Sequence, residues 1–393
     1  VFAALLPILG ITFIDIVGFS ILIPILPYFV EHFGVSKIIV GVLFSTFAAC
    51  QFVAGPIWGN VSDRIGRKSV LIISQIGATI GWAMLAFAPS IGWVFAARVI
   101  EGLSGGNISV TQAYVADRVP PEQRARAFAW IGAAFSGGMI FGPVMGGYLL
   151  SKYGYKTPFL LAACLQVVTL LVTYFLLPES IAKKGEKEER ATFADIGKSL
   201  ADPKIAPILV QKLAYSLGLY GWFASFALVL QANAGFGPTA TSYFFAAFGA
   251  ASILVQLFVV GRLTDRLGDR RTSNLGFACA VLFFAVVPFA TTVPELLAAI
   301  IVFSLALSIT NATLAALLTD QAPEHARGTV LGVGSSLESI AGIIMPSIST
   351  AVLALYGVGP TAAICCFFVL VALALGVAAA RRTGGPQVST QHT

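Results

Sequence analysis

The chain has 393 residues, of which 57% are apolar and only 11% charged. A soluble domain carries about 25% charged residues, so this composition excludes an ordinary soluble enzyme and describes a chain of many membrane spans, each needing ~20 apolar residues. The formal net charge of +6 does not point to nucleic acid, because the basic residues lie in short loops between apolar segments, where they set orientation in a bilayer.

Twelve spans can be placed in chain order. The first half gives spans at roughly 3–30, 37–60, 69–88, 91–116, 127–151 and 157–178. The second half gives roughly 205–232, 239–260, 272–291, 294–319, 329–356 and 360–380. Between the halves lies the one long charged stretch, containing Lys183, Lys184, Glu186, Lys187, Glu188, Glu189 and Arg190, the expected linker. The expected organisation is an all-α membrane protein: a six-helix N-terminal bundle over 1–180, a cytoplasmic linker over 181–204, and a six-helix C-terminal bundle with a short polar tail over 205–393. The chain begins at Val1 rather than Met, so a few preceding residues are expected, and the first apolar stretch is too long for a cleaved signal segment.

Of the 24 Lys and Arg, all but five fall in loops on one side or in the tail; the exceptions are Lys37, Lys152 and Lys156 on the other side and Arg98 and Lys212 within spans. The basic side is expected to be cytoplasmic, which places both termini inside a cell inner membrane. The five cysteines, Cys50, Cys164, Cys279, Cys365 and Cys366, all fall in apolar segments without CxxC spacing. They read as small core residues, not as disulfide or metal ligands.

Two segments are near copies. Gly59, Asp63, Arg64, Gly66, Arg67 and Lys68 recur as Gly261, Asp265, Arg266, Gly268, Asp269 and Arg270, each set a short basic turn between long apolar segments. Tyr114 to Asp117 followed by Pro121-Glu122 likewise parallels Leu317 to Asp320 followed by Pro323-Glu324. Two six-span halves with the same orientation are parallel repeats, which in transporters face each other across a central cavity near the bilayer midplane.

Ionisable residues inside spans cost several kcal/mol and are kept for function. Asp15 lies about 12 residues into the first span, ~18 Å deep. Glu338 lies about nine residues into the eleventh, ~14 Å deep. Arg98 and Glu101 sit at i and i+3 in the fourth span, so they can pair. A carboxylate at that depth can take a proton from one side and release it to the other; a buried ion pair that only holds helices together is the competing reading. Lys212, two turns into its span, reads as snorkelling to the interface. Gln51, Asn107, Gln112, Tyr215, Trp222, Gln231, Gln256 and Asn311 supply candidate cavity polarity, each weighed against a helix-packing hydrogen bond. There is no Walker loop, GxSxG, HExxH or Cys/His metal spacing, so neither an enzyme nor a metal or cofactor is expected.

With these residues assembled, the chain resembles the major facilitator superfamily, and within it the twelve-span drug:proton antiporters. Gly59 to Lys68 matches the superfamily's loop motif G-x-x-x-D-R-x-G-R-[KR]. Arg98-x-x-Glu101-Gly102 resembles the fourth-span motif R-x-x-Q-G, and Gly138, Gly142, Pro143, Gly146 and Gly147 resemble the fifth-span antiporter motif with one extra residue after the Pro. Asp15 before Pro24 and Pro27, Gly77-Ala78, and Leu177-Pro178-Glu179-Ser180 are similar to tetracycline exporters. Two departures, Gly81-Trp82 in place of an Asp-Tyr pair and a ninth span without an acidic residue, argue against a Mg–tetracycline cation as substrate.

The resemblance implies roles. Asp63 would cap the eleventh span, where the helix dipole favours an anion, and Arg67 with Asp117 would complete a charge network locking one state. Arg98 would assist proton transfer, and the fifth-span glycines would let the halves pack closely. The expected activity is proton-coupled export of small amphipathic drugs or metabolites by a monomer, driven by the proton gradient without a cofactor. Its expected partners are a small-molecule substrate, protons and the lipid bilayer, with no nucleic acid. A proton symporter, a lipid or siderophore exporter and a non-transporting receptor are the alternatives.

Overall fold

The computed structural model of the chain describes all residues except 1, 106–109, 112–113, 116–117, 120, 180–196, 198, 324–325 and 383–393. In the N-terminal half, helices α1 (Phe2–Glu31), α2 (Ile38–Ile65), α3 (Arg67–Ala86), α4 (Ile91–Ser104), α5 (Pro121–Tyr153) and α6 (Lys156–Leu176) follow one another. In the C-terminal half come α7 (Ala206–Ala234), α8 (Pro238–Leu267), α9 (Asp269–Val286), α10 (Val293–Gln321), α11 (Arg327–Tyr356) and α12 (Val358–Arg382). Among the described residues eleven helices are long and apolar enough to cross a membrane. The fourth expected span is represented by α4, whose continuation falls partly on undescribed positions. In hydrocarbon every backbone polar group must be satisfied internally, and continuous helices do this segment by segment.

The sequence places the basic motif in a loop, whereas most of it is helix. Helix α2 runs through Asp63 and Arg64 to Ile65, and the chain reverses at one residue, Gly66. The second copy is built alike, with α8 running through Asp265 and Arg266 to Leu267 and the reversal at Gly268. Gly66 has φ 97° and ψ 152°, and Gly268 has φ 75° and ψ 160°, a backbone region that only glycine occupies readily. The Gly66 N–H donates to the Ser62 carbonyl (3.1 Å) and the Gly268 N–H to the Thr264 carbonyl (2.9 Å). Ser62 and Thr264 hydroxyls in turn donate to Gly59 and Gly261 carbonyls, at 2.8 and 2.9 Å. The repeat is therefore one of geometry as well as of letters.

Two compact units make up the chain. The first holds Val1–Lys187 together with Phe226–Gln231 and Phe236–Ala247, so the end of α7 and the start of α8 belong to it; the second holds Glu188–Ser225, Ala232–Gly235 and Phe248–Thr393. The first unit's core packs Ile21, Leu22, Ile25, Leu85, Val94 and Phe159 against one another. The second unit has an aromatic centre in which Phe303 lies against Phe248 (5.2 Å between centroids) and Phe283 (4.5 Å). Large apolar residues such as Phe175, Leu176, Phe289 and Leu355 remain exposed, as lipid-facing helix surfaces require. All five cysteines are free; Cys365 is a buried core residue, Cys50, Cys279 and Cys366 are half-buried, and Cys164 is exposed.

Candidate functional site

In the second unit, one face of α7 presents Lys212, Tyr215, Ser216, Leu219 and Tyr220 to a cavity of about 310 Å³, closed by Asn311 and Leu314 of α10 and Glu338 of α11. The spacing on α7 is i, i+3, i+4, i+7, i+8, one helical stripe. Lys212 Nζ meets Glu338 Oε1 at 2.9 Å, so Lys212 does not snorkel: it is paired within the bundle. Gly334, one turn before Glu338, gives the lysine stem room, since a Cβ there would lie 3.2 Å from Lys212 Cδ and Cε. Tyr215 is buried, with its ring edge-on to Phe277 at 5.7 Å. The cavity is thus walled by aromatic and small polar groups and carries one ion pair.

In the first unit, Arg98 and Glu101 form an ion pair with side chains only 3% and 5% exposed. The Arg98 guanidinium lies over the rings of Phe47 (5.5 Å) and Trp82 (5.6 Å), which stabilise a desolvated cation through their π faces. Gly81 faces Glu101 so closely that a Cβ would overlap Glu101 Cγ. Gly81-Trp82 is therefore part of the site: the glycine leaves room for the carboxylate and the indole covers the cation. Asp15 accepts a hydrogen bond from Gln166 Nε2 at 2.9 Å, a partner on α6 that no local spacing announces.

The basic motif forms a knot at one end of the same unit. Arg67 Nη1 pairs with Asp63 Oδ1 at 2.6 Å and donates to the Ser62 hydroxyl at 2.5 Å. Glu179, just past α6, accepts from the Lys68 N–H (2.9 Å) and the Ser69 hydroxyl (3.3 Å), while its own carbonyl accepts from Arg118 (3.0 Å). A carboxylate on the Lys68 N–H, in the first turn of α3, suits the helix dipole. Sequence reasoning did not assign Glu179 a role; its signal was the Leu-Pro-Glu-Ser close of the sixth span.

The fifth-span glycines face α1. A Cβ on Gly138 would lie 2.8 Å from Ile16 Cβ, one on Gly142 would overlap the Ser20 hydroxyl, and one on Gly146 would lie 3.1 Å from Ile21 Cγ2. Ser20 donates to the Gly138 carbonyl at 2.9 Å. Gly147 alone of the set faces α8, where a Cβ would lie 2.7 Å from Ser242 Cβ. Pro143 lies within α5.

Of the candidate cavity residues, Tyr215 and Asn311 line the cavity with Glu338. Trp222 is packed in the aromatic centre, 4.9 Å from Phe283 and outside the cavity lining. Gln231 Nε2 donates to Glu31 at 3.0 Å and its Oε1 accepts from Lys37 at 3.1 Å. Gln256 is exposed at the start of a π turn in α8, and Gln51 lies against Gly105. Asn107, Gln112 and Asp117 lie outside the described residues. Gln75, buried in α3 and absent from the expected set, has neither amide atom in a hydrogen bond among the described residues.

Long apolar helices, a reversal motif used twice and charge pairs held inside the helices define a multi-pass membrane transporter. A profile of the Major Facilitator Superfamily matches residues 8–232 and 213–391, and the chain belongs to that family. It is 33% identical to a class C tetracycline resistance protein of Escherichia coli, over 89% of this chain and 90% of that protein. It is 26% identical to multidrug resistance protein 2 of Bacillus subtilis (strain 168), over 86% and 85% of the two chains. Its fold is similar to that of the human organic anion transporter MFSD10 (TM-score 0.73, 20% identity, 95% and 98% of the two chains).

Proposed function

We propose that this chain is a proton-coupled exporter of small amphipathic drugs or metabolites, working by alternating access as a monomer in a bacterial inner membrane with both termini in the cytoplasm. The observation that carries the reading is the set of three carboxylates held inside membrane helices, each with a distinct partner: Asp15 with Gln166, Glu101 with Arg98, and Glu338 with Lys212. The relatives named for tetracycline and multidrug resistance support export rather than uptake. Substrate and proton need not touch; each has only to bias the same two-state equilibrium. In this reading Asp15 is the main protonation site, with Glu338 and the Arg98–Glu101 pair tuning it.

The test is accumulation of a cationic dye, a neutral drug and tetracycline in efflux-deficient bacteria producing this chain, with and without an uncoupler. Lower accumulation of at least one compound, abolished by the uncoupler, is the expected result. Raised accumulation would overturn the export direction. Asp15→Asn is expected to abolish gradient-driven transport, and full activity in that variant would move the main protonation site elsewhere.

A further inference from the structure

The α7–α10–α11 cavity has a feature that the exporter reading alone does not use. Its lining holds, among the described residues, one cation and one anion, and they are bonded to each other at 2.9 Å. Among the described residues, the other titratable groups lining the cavity with Glu338 are Tyr215 and Tyr220 of α7; α10 contributes Asn311 and Leu314, which carry no charge. The Lys212 stem lies against Gly334 of α11, and the ion pair places its ammonium at the cavity wall. Lys212 is mostly buried and Glu338 one-third exposed, so a ligand that separates them without compensation leaves chiefly the Lys212 ammonium without a counter-charge.

Three ligand charges can be compared. A cation bound at Glu338 leaves Lys212 unpaired beside a second positive charge. An anion bound at Lys212 leaves Glu338 unpaired, which proton uptake would relieve; ligand and proton would then travel together, the opposite of exchange. A ligand with both charges replaces Glu338 at Lys212 with its anionic end and Lys212 at Glu338 with its cationic end. Protonation of Glu338 then removes the anchor for the cationic end, so proton and ligand compete, as exchange requires.

We infer that this cavity is a subsite for zwitterionic ligands, small molecules with an ammonium and a carboxylate on an aromatic or apolar body, recognised by Lys212 and Glu338 together. The inference rests on the exporter reading, since competition with the proton is what selects the zwitterion over the anion. The volume of about 310 Å³ lies at the low end of the ~300–1,000 Å³ usual for small-molecule sites. The Tyr215 and Tyr220 rings supply the wall for an aromatic body.

The test uses the purified full chain and three probes of one skeleton: biphenylalanine, its methyl ester (cation only) and its N-acetyl derivative (anion only). Binding is measured calorimetrically at about pH 6 and about pH 4.5, at both of which the ester carries its ammonium and the N-acetyl derivative its carboxylate. Biphenylalanine is expected to bind about tenfold or more tightly than either analogue, the worth of one charge-assisted hydrogen bond, and to weaken at the lower pH with proton release on binding. Lys212→Gln should erase the preference over the ester, and Glu338→Gln the preference over the N-acetyl acid together with the pH dependence. The exchanged pair Lys212→Glu/Glu338→Lys, which keeps one charge of each sign, should retain the zwitterion preference even if a single variant fails to fold. Tightest binding of the ester with proton release would overturn the inference and leave the exporter reading standing. Tightest binding of the N-acetyl acid with proton uptake would overturn both. Equal binding of the three, or binding of none at millimolar concentration, would overturn the inference alone.

Discussion

Arg98 and Glu101 illustrate how one buried pair can be asked whether it does more than hold helices together. Both side chains are almost fully withdrawn from solvent, and the cation is covered by Phe47 and Trp82. Glu101→Gln leaves the guanidinium without its counter-charge, and we expect a loss of roughly 3–5 kcal/mol of stability, read as a lower unfolding temperature in detergent. Replacing both partners by apolar residues, Arg98→Met with Glu101→Leu, should restore most of that stability, since apolar substitutes for a buried pair are often neutral or better. The same double variant should remain without uncoupler-sensitive efflux. Recovery of efflux along with stability would reduce the pair to a packing role. Gly81→Ala drives a methyl group into Glu101 and should cost about 1–3 kcal/mol by overpacking.

At the scale of the element, the N-terminus of α3 depends on one glycine and one distant carboxylate. Gly66 adopts a conformation other residues avoid, and a Cβ there would stand 2.5 Å from the Glu179 carboxyl carbon. Gly66→Ala therefore carries two costs: backbone strain of about 1–3 kcal/mol and the collision. Glu179→Ala should remove the collision but leave the strain, so the double variant should be more stable than the sum of the single effects predicts. An additive thermal-unfolding cycle would show that Glu179 and Gly66 do not share this space. The motif's glycines and the i, i+3 spacing of Arg98 and Glu101 were legible in the sequence, because both are local. The partners of Lys212, Asp15 and the α3 N-terminus were not, because they arrive from helices far along the chain. Lys212 in particular has an apolar stem and a polar head that suit snorkelling; its inward turn to Glu338, with the stem against Gly334, appears only in three dimensions. The fifth-span glycines showed close packing, but their helical face, mostly toward α1, needed the three-dimensional register.

For the molecule as a whole, alternating access requires that contacts tying the first-half helices to the start of the second half be breakable. The first unit contains such contacts at its Lys37 end. The Tyr28 hydroxyl donates to the Phe236 carbonyl at 2.8 Å and shares a hydrogen bond with Thr241 at 2.7 Å. Glu31, Lys37 and Gln231 form a second set, with Lys37 Nζ 3.5 Å from Glu31 Oε1 and Gln231 bonded to both. Gly147 lets α5 approach Ser242 in the same region. Each such bond contributes about 0.5–1.5 kcal/mol net, small enough that ligand or proton binding can overcome several of them. Removing the Tyr28 hydroxyl should therefore shift the equilibrium toward opening of this end by several-fold to about tenfold, without unfolding the chain. Spin labels on cysteines placed at exposed Ser36 and Gly237 would read the distance across these contacts by pulsed electron resonance. Tyr28→Phe should add or enlarge a longer-distance population, and combining it with Lys37→Ala should enlarge it further. A distance distribution identical to that of the parent in both variants would mean that this polar set does not hold the closure.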